Sequence, residues 1–170
     1  MKLALACIVA IAASSASLAP AATTAASSCT GKQLSGIFAV VPNSAGAGNI
    51  VYKLTLKNRS ALPCTVTGLP AGQLLGRLHN PLPTHVRAAN PGALTAVLVT
   101  LLPGQSTFAT ARFSPDVPGP GETTLRRCEP RSYWFRVRAQ GGGVTIVPLK
   151  PATSVCEHGA LSFSAYGTRG

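Results

Sequence analysis

Three histidines, four acidic residues and a set of arginines around one tryptophan are the side chains with chemistry to offer. Trp134 alternates with Arg136 and Arg138, and Arg112 stands in a second alternating stretch. An aromatic plane beside guanidinium groups can stack on a sugar ring. A guanidinium can also grip a carboxylate or phosphate through two parallel hydrogen bonds. Trp134, Arg136, Arg138 and Arg112 are therefore the candidate ligand face. The plainer alternative is a solvated sheet face on which arginine stems cover an exposed tryptophan.

Acid–base chemistry would have to come from His79, His85 and His158 with Asp116, Glu122, Glu129 and Glu157. A hydrolase needs a nucleophile, a base and an orienting group within hydrogen-bond reach. No Gly-x-Ser-x-Gly occurs, and His79 and His85 lie in a proline-rich stretch with no acid beside them. Glu157 and His158 follow Cys156, where polar residues commonly solvate a turn. Paired carboxylates for glycoside hydrolysis would have to be drawn from four acids, all near turns or prolines. A non-enzymatic protein is expected; a secreted hydrolase and a purely structural secreted domain are the alternatives. No metal or other cofactor is expected, because CxxC and HxxxH spacings are absent and the one methionine is Met1. Gly141-Gly142-Gly143 lacks the Lys-Ser/Thr and the helix of a phosphate loop and reads as a hairpin turn.

Strands must position these residues. Tyr52, Leu54 and Leu56 share one face of residues 49–58, and Lys53, Thr55 and Lys57 share the other. Asn58-Arg59-Ser60 reads as a turn in which Asn and Ser bond their own backbone. A short strand begins at Cys64. Further strands are expected at 34–41, 73–78, 94–101, 105–113, 132–139, 144–149 and 160–166. The proline-rich stretch 80–91 reads as connection or edge strand. Thr107, Ala109, Ala111 and Phe113 share a face, as do Tyr133, Phe135 and Val137. With 17 glycines, 14 prolines and no helical period, many short strands predict an all-β, immunoglobulin-like β-sandwich.

Residues 1–26 read as a signal peptide: Lys2, an apolar run too short for a stable anchor, then small residues. Ala19/Ala21 and Thr24/Ala26 are both candidate cleavage positions. Residues 27–170 then form a single domain with no transmembrane anchor, secreted or held in the cell envelope; a lipoprotein is the minor alternative. Cleavage removes Cys7 and leaves Cys29, Cys64, Cys128 and Cys156. An even count in an exported chain reads as two disulfides, and of three pairings the sequential ones, Cys29–Cys64 and Cys128–Cys156, are preferred. Each would contribute ~3–4 kcal/mol by closing a loop of moderate length. The net charge of +11 draws such a protein to polyanions, here an acidic envelope polymer or an anionic lipid surface. No motif points to specific nucleic-acid binding.

Several of these features together resemble a known family. Cys29 is followed by Leu34, a small-residue loop and a strand ending Asn58-Arg59-Ser60. Pro63-Cys64-Thr65 precedes Gly68-Leu69-Pro70, Leu102-Pro103-Gly104 opens an alternating alanine strand, and Cys128 and Cys156 come late. The pattern is similar to the actinobacterial domain of unknown function 4232, over nearly the whole chain after the leader. Leu69 stands where such domains usually carry an aromatic. The resemblance implies a small immunoglobulin-like sandwich with two disulfides, exported to an actinobacterial envelope or culture fluid. It implies no catalytic residue and no ligand.

The intact mass of protein from culture fluid and envelope checks the export reading. A processed, lipid-free chain lighter than its reduced form by the hydrogens of two disulfides is expected. An unprocessed chain, or four free thiols, would end that reading.

Overall fold

Along β2 (Ile50–Asn58) burial alternates: Tyr52, Leu54, Leu56 and Asn58 face in, and Lys53 and Lys57 face out. The structure, a computed structural model, describes residues 25–93, 97–122, 128 and 130–167. The expected signal peptide, apart from residues 25 and 26, lies outside the described residues with its Cys7, as do Arg126, Arg127 and Glu129. The other strands are β1 (Leu34–Val40), β3 (Cys64–Val66), β4 (Ala71–Leu75), β5 (His85–Ala88) and β6 (Val99–Leu101). They are followed by β7 (Ser106–Phe113), β8 (Arg131–Arg138), β9 (Val144–Ser154) and β10 (Ala160–Phe163). Among the described residues the only helical segments are short 3-10 turns, so the fold is all-β.

Eight strands form one sheet in the order β4-β8-β9-β1-β2-β7-β10-β5, and β3 and β6 pair separately. The β1–β9 and β5–β10 pairs are parallel and the rest antiparallel. The sheet is strongly curled. Phe135 on β8 and Phe163 on β10 lie 5.9 Å apart between ring centroids. A flat sheet would hold those strands about 24 Å apart. Both rings also meet Phe38 on β1, at 5.1 and 5.7 Å, and Tyr52 lies 5.4 Å from Phe38. The two ends of the sheet come close as well. The Leu74 amide on β4 donates to Thr84 Oγ1 at 2.9 Å, one residue before β5, and the Leu82 amide donates to the Leu74 carbonyl at 3.0 Å.

Buried Asn58 joins the small sheet to the large one. Its Nδ2 donates to the carbonyls of Leu62 (2.8 Å) and Leu101 (3.0 Å), and its Oδ1 accepts from the Ser60 amide and hydroxyl. This is the expected self-bonded turn. Arg59 is tied back to the Lys32 carbonyl at 2.9 Å. The disulfides are Cys29–Cys64 and Cys128–Cys156, the sequential pairing. The glycine hairpin also stands: the Ala139 amide bonds the Gly143 carbonyl, with Gly142 and Gly143 at positive φ.

Several expected boundaries shift. The expected core face of Tyr133, Phe135 and Val137 holds only for the last two. The β8–β9 register breaks between Ser132 and Trp134. An extra residue in one strand reverses the alternation beyond it. Ser132 is buried instead, its hydroxyl 3.1 Å from the carbonyls of Leu75 and Trp134. Tyr133 is half-exposed, with the Arg77 guanidinium 4.6 Å from its ring centroid. The strand expected at 94–101 is paired only over Val99–Leu101, because its partner β3 has three residues; residues 94–96 lie outside the described ones. β4 starts earlier and ends at Leu75, where the chain turns with the Gly76 amide on the Asn80 carbonyl. β9 runs on to Ser154 because Leu149 and Lys150 pair with β1 before Thr153 and Ser154 return to β8.

Phe38 touches aromatic rings from three other strands. Phe38→Ala should cost about 3–5 kcal/mol of unfolding free energy by urea denaturation. A loss below 1 kcal/mol would mean that the cluster does not hold the curl.

Candidate functional site

With the inner surface apolar, the charged side chains occupy two outer faces. The first lies on β4, β8 and β9. Cross-strand rows there are Leu75–Trp134–Pro148, Gln73–Arg136–Ile146 and Ala71–Arg138–Val144. Trp134 is half-buried, with the His79 ring edge-on at 5.0 Å. Arg136 Nη2 donates to Gln73 Oε1. Arg138 is exposed, beside Val144 and Ile146, which are 50% and 41% exposed. Trp134, Arg136 and Arg138 are thus brought together as expected.

Arg112 does not join them. β9, β1 and β2 separate β7 from β8, and the curl turns the inner face of β8 toward β10, the strand beside β7. Ala111 and Phe113 point into the core, so Arg112 points out on the far side of the domain. There it belongs to a second face. One row runs Val51–Arg112–Ser162–Arg87 across β2, β7, β10 and β5. The next runs Lys150–Ala39–Lys53–Thr110 across β9, β1, β2 and β7. Arg87, Arg112, Lys53 and Lys150 are all exposed. Arg87 Nε donates to Ser162 Oγ at 2.9 Å, and Lys53 Nζ lies 5.8 Å from the Phe108 ring centroid. An open groove of about 580 Å³ crosses this face, lined among others by Asn49, Arg87, Thr110, Arg112, Glu157 and Ser162.

Sequence reasoning missed Arg87 and Ser162. The outward alternation of His85 and Arg87 was a usable signal. Their placement beside Arg112 was not, because it depends on parallel pairing of β5 with β10.

Of the described acids, Glu157 lines the groove and Asp116 and Glu122 do not. Glu122, whose side chain is 2% exposed, is held by the turn after Cys156. Its Oε2 accepts from the amides of Gly119 (2.6 Å) and Glu157 (2.8 Å), and its Oε1 from the His158 amide (2.7 Å). His158 Nδ1 lies 3.5 Å from Oε1, and Nε2 is 3.0 Å from the Pro120 carbonyl. Both ring nitrogens of His158 therefore face oxygen acceptors rather than a hydroxyl nucleophile. His79 packs on Trp134, and His85 opens β5. Burial disfavours the Glu122 carboxylate, but the three backbone donors and the neighbouring imidazole outweigh it and hold its pKa below 4.5, the ordinary value.

The fold defines the class: an all-β protein tied by two disulfides. The chain belongs to the family described as domain of unknown function 4232 (DUF4232), whose model matches residues 29–166. No curated protein and no solved structure matches it.

A carboxyl with a depressed pKa in the folded state adds stability above its unfolded pKa and loses it as pH falls through the folded value. Wild-type stability, measured as the urea midpoint, should therefore fall as pH drops below 4.5. Glu122→Gln should be less stable at neutral pH and flatter across that range. Parallel profiles for the two proteins would refute the role assigned to this carboxylate.

Proposed function

We propose that this chain is an exported, non-enzymatic binding module that attaches to an acidic polymer of an actinobacterial envelope through its cationic outer faces. One observation carries the reading. Among the described residues, the single ion pair within 4.0 Å is His158–Glu122, and no lysine or arginine has a carboxylate partner. Surface cations that merely solubilise a domain are commonly interspersed with acids. Here they line two sheet faces, while Asp116, Glu122 and Glu157 lie off the strands and only Glu157 of them lines the second face's groove. Uncompensated charge of one sign gives a field that draws in polyanions.

Export is supported by the apolar leader and by two disulfides, which persist in oxidising compartments. We read the curled sheet as an immunoglobulin-like sandwich; the packing of Phe135 against Phe38 and Phe163 supports two layers. A second target, an anionic lipid surface, is favoured for the first face alone, where Val144 and Ile146 are exposed beside the arginines.

Retention on immobilised acidic envelope polymer tests the reading. The disulfide-bonded chain should be held at low ionic strength and released by salt. Arg136→Glu with Arg138→Glu should weaken retention at least about tenfold at low salt. Absence of retention, or no effect of the double variant, would overturn the assignment of this face. Binding to anionic vesicles but not to polymer would favour the lipid target.

A further inference from the structure

The groove on the second face has more specific chemistry than a field of positive charge. Its centre is Ser162, with Arg112 paired on one side and Arg87 on the other. Two strand spacings place the arginine Cα atoms about 10 Å apart, so their side chains can converge on one anionic group. Arg87 spends its Nε on Ser162, and no described acceptor engages its Nη atoms. Arg112 has no hydrogen-bonded partner among the described residues. A terminal Nη pair is the fork that takes a carboxylate or phosphate through parallel hydrogen bonds.

The rest of the lining suits hydroxyls. Ser162 Oγ and Thr110 Oγ1 each keep acceptor capacity beyond the bonds they make. Asn49 Nδ2 has one proton on the Ala47 carbonyl and a second to give. Glu157 also lines the groove, its neighbour Cys156 lying 2.9 Å from the carbonyl of Pro115, beside Ser114, and its carboxylate can accept from hydroxyls and repel a second anionic group. A lining of donors, acceptors and both charge signs fits a ligand that is itself mixed. The volume of about 580 Å³ lies within the range of small-ligand sites, ~300–1,000 Å³.

We propose that this groove binds a polyhydroxylated anion, one unit of an acidic polymer: a uronate sugar or a polyol phosphate. Arg87 and Arg112 hold the anionic group, and Asn49, Thr110 and Ser162 meet the hydroxyls. The proposal rests on the polyanion-binding reading above and gives it a site and a ligand class.

The test is backbone-amide NMR titration of the disulfide-bonded chain with a short oligogalacturonate, a short glycerol-phosphate oligomer and a neutral oligosaccharide. One or both acidic oligomers should shift Arg87, Thr110, Arg112 and Ser162 more strongly than Trp134 and Arg138; which of them does so identifies the anion. The neutral sugar should shift none. Arg87→Ala with Arg112→Ala should weaken binding by about tenfold or more. Ser162→Ala, which removes only the hydroxyl that anchors Arg87, should weaken it by roughly threefold with an unchanged melting temperature, and decides the matter if the double variant does not fold. Lys32→Ala, an exposed cation in the turn before β1 and outside the groove lining, should bind the oligomers as wild type does. Equal shifts on both faces, or undiminished binding in the groove variants, would overturn the site while leaving polymer retention intact. Failure of the wild type to bind any polyanion at low salt would overturn the broader reading as well.

Discussion

Phe38 sets the shape of the molecule. Its ring meets Tyr52, Phe135 and Phe163, which come from β2, β8 and β10. A sheet carrying that cluster on one surface must curl to bury it, and the curl brings β8 over strands far from it in the sheet. Burial of apolar area drives this at roughly 25 cal/mol per Å². Ala109 and Ala111, both fully buried, add small inward side chains on β7. Every polar residue on the strands is then turned outward unless it can be bonded inside. Asn58 and Ser132 are buried exceptions, and both have their hydrogen bonds met.

From that constraint comes the distribution of charge. Strand alternation sends Lys53, Arg87, Arg112 and Lys150 to one exterior and Arg136 and Arg138 to the other. The described acids lie off the strands, and of them only Glu157 lines the groove beside Arg87 and Arg112. Like charges spread over a small domain repel one another, which opposes compaction. Two disulfides, spanning 35 and 28 residues, offset such repulsion by restricting the unfolded chain.

The end of the groove is shaped by an unusual turn. Glu157, His158 and Gly159 all have positive φ. A Cβ at Gly159 would stand 2.0 Å from the Pro83 carbonyl oxygen, so only glycine fits there. The left-handed run directs the amides of Glu157 and His158 to the Glu122 carboxylate, which meets the cost of that backbone. Cys128–Cys156 ties the same turn to the chain just before β8.

Much of this was readable in the residues alone. Alternation of Tyr52, Leu54 and Leu56 against Lys53 and Lys57 declared β2 and its buried face, because side-chain direction in a strand is local. The glycine hairpin at 141–143 was legible for a similar reason of turn chemistry, whereas the sequential cysteine pairing was a preference among three that the structure bears out. Tyr133 was misplaced because a bulge is a matter of register with β9, and register belongs to two strands at once. Arg112 was grouped with Trp134 because parity says which side of a strand a residue takes, not which side of the domain that becomes. Only the curl decides that, and only the parallel docking of β5 on β10 places Arg87 beside Ser162. The sequence by itself determined which side chains point out along unbroken strands; the tertiary structure decided where the alternation reverses and which side chains meet, since register and neighbours across a sheet are chosen by long-range pairing that no local pattern encodes.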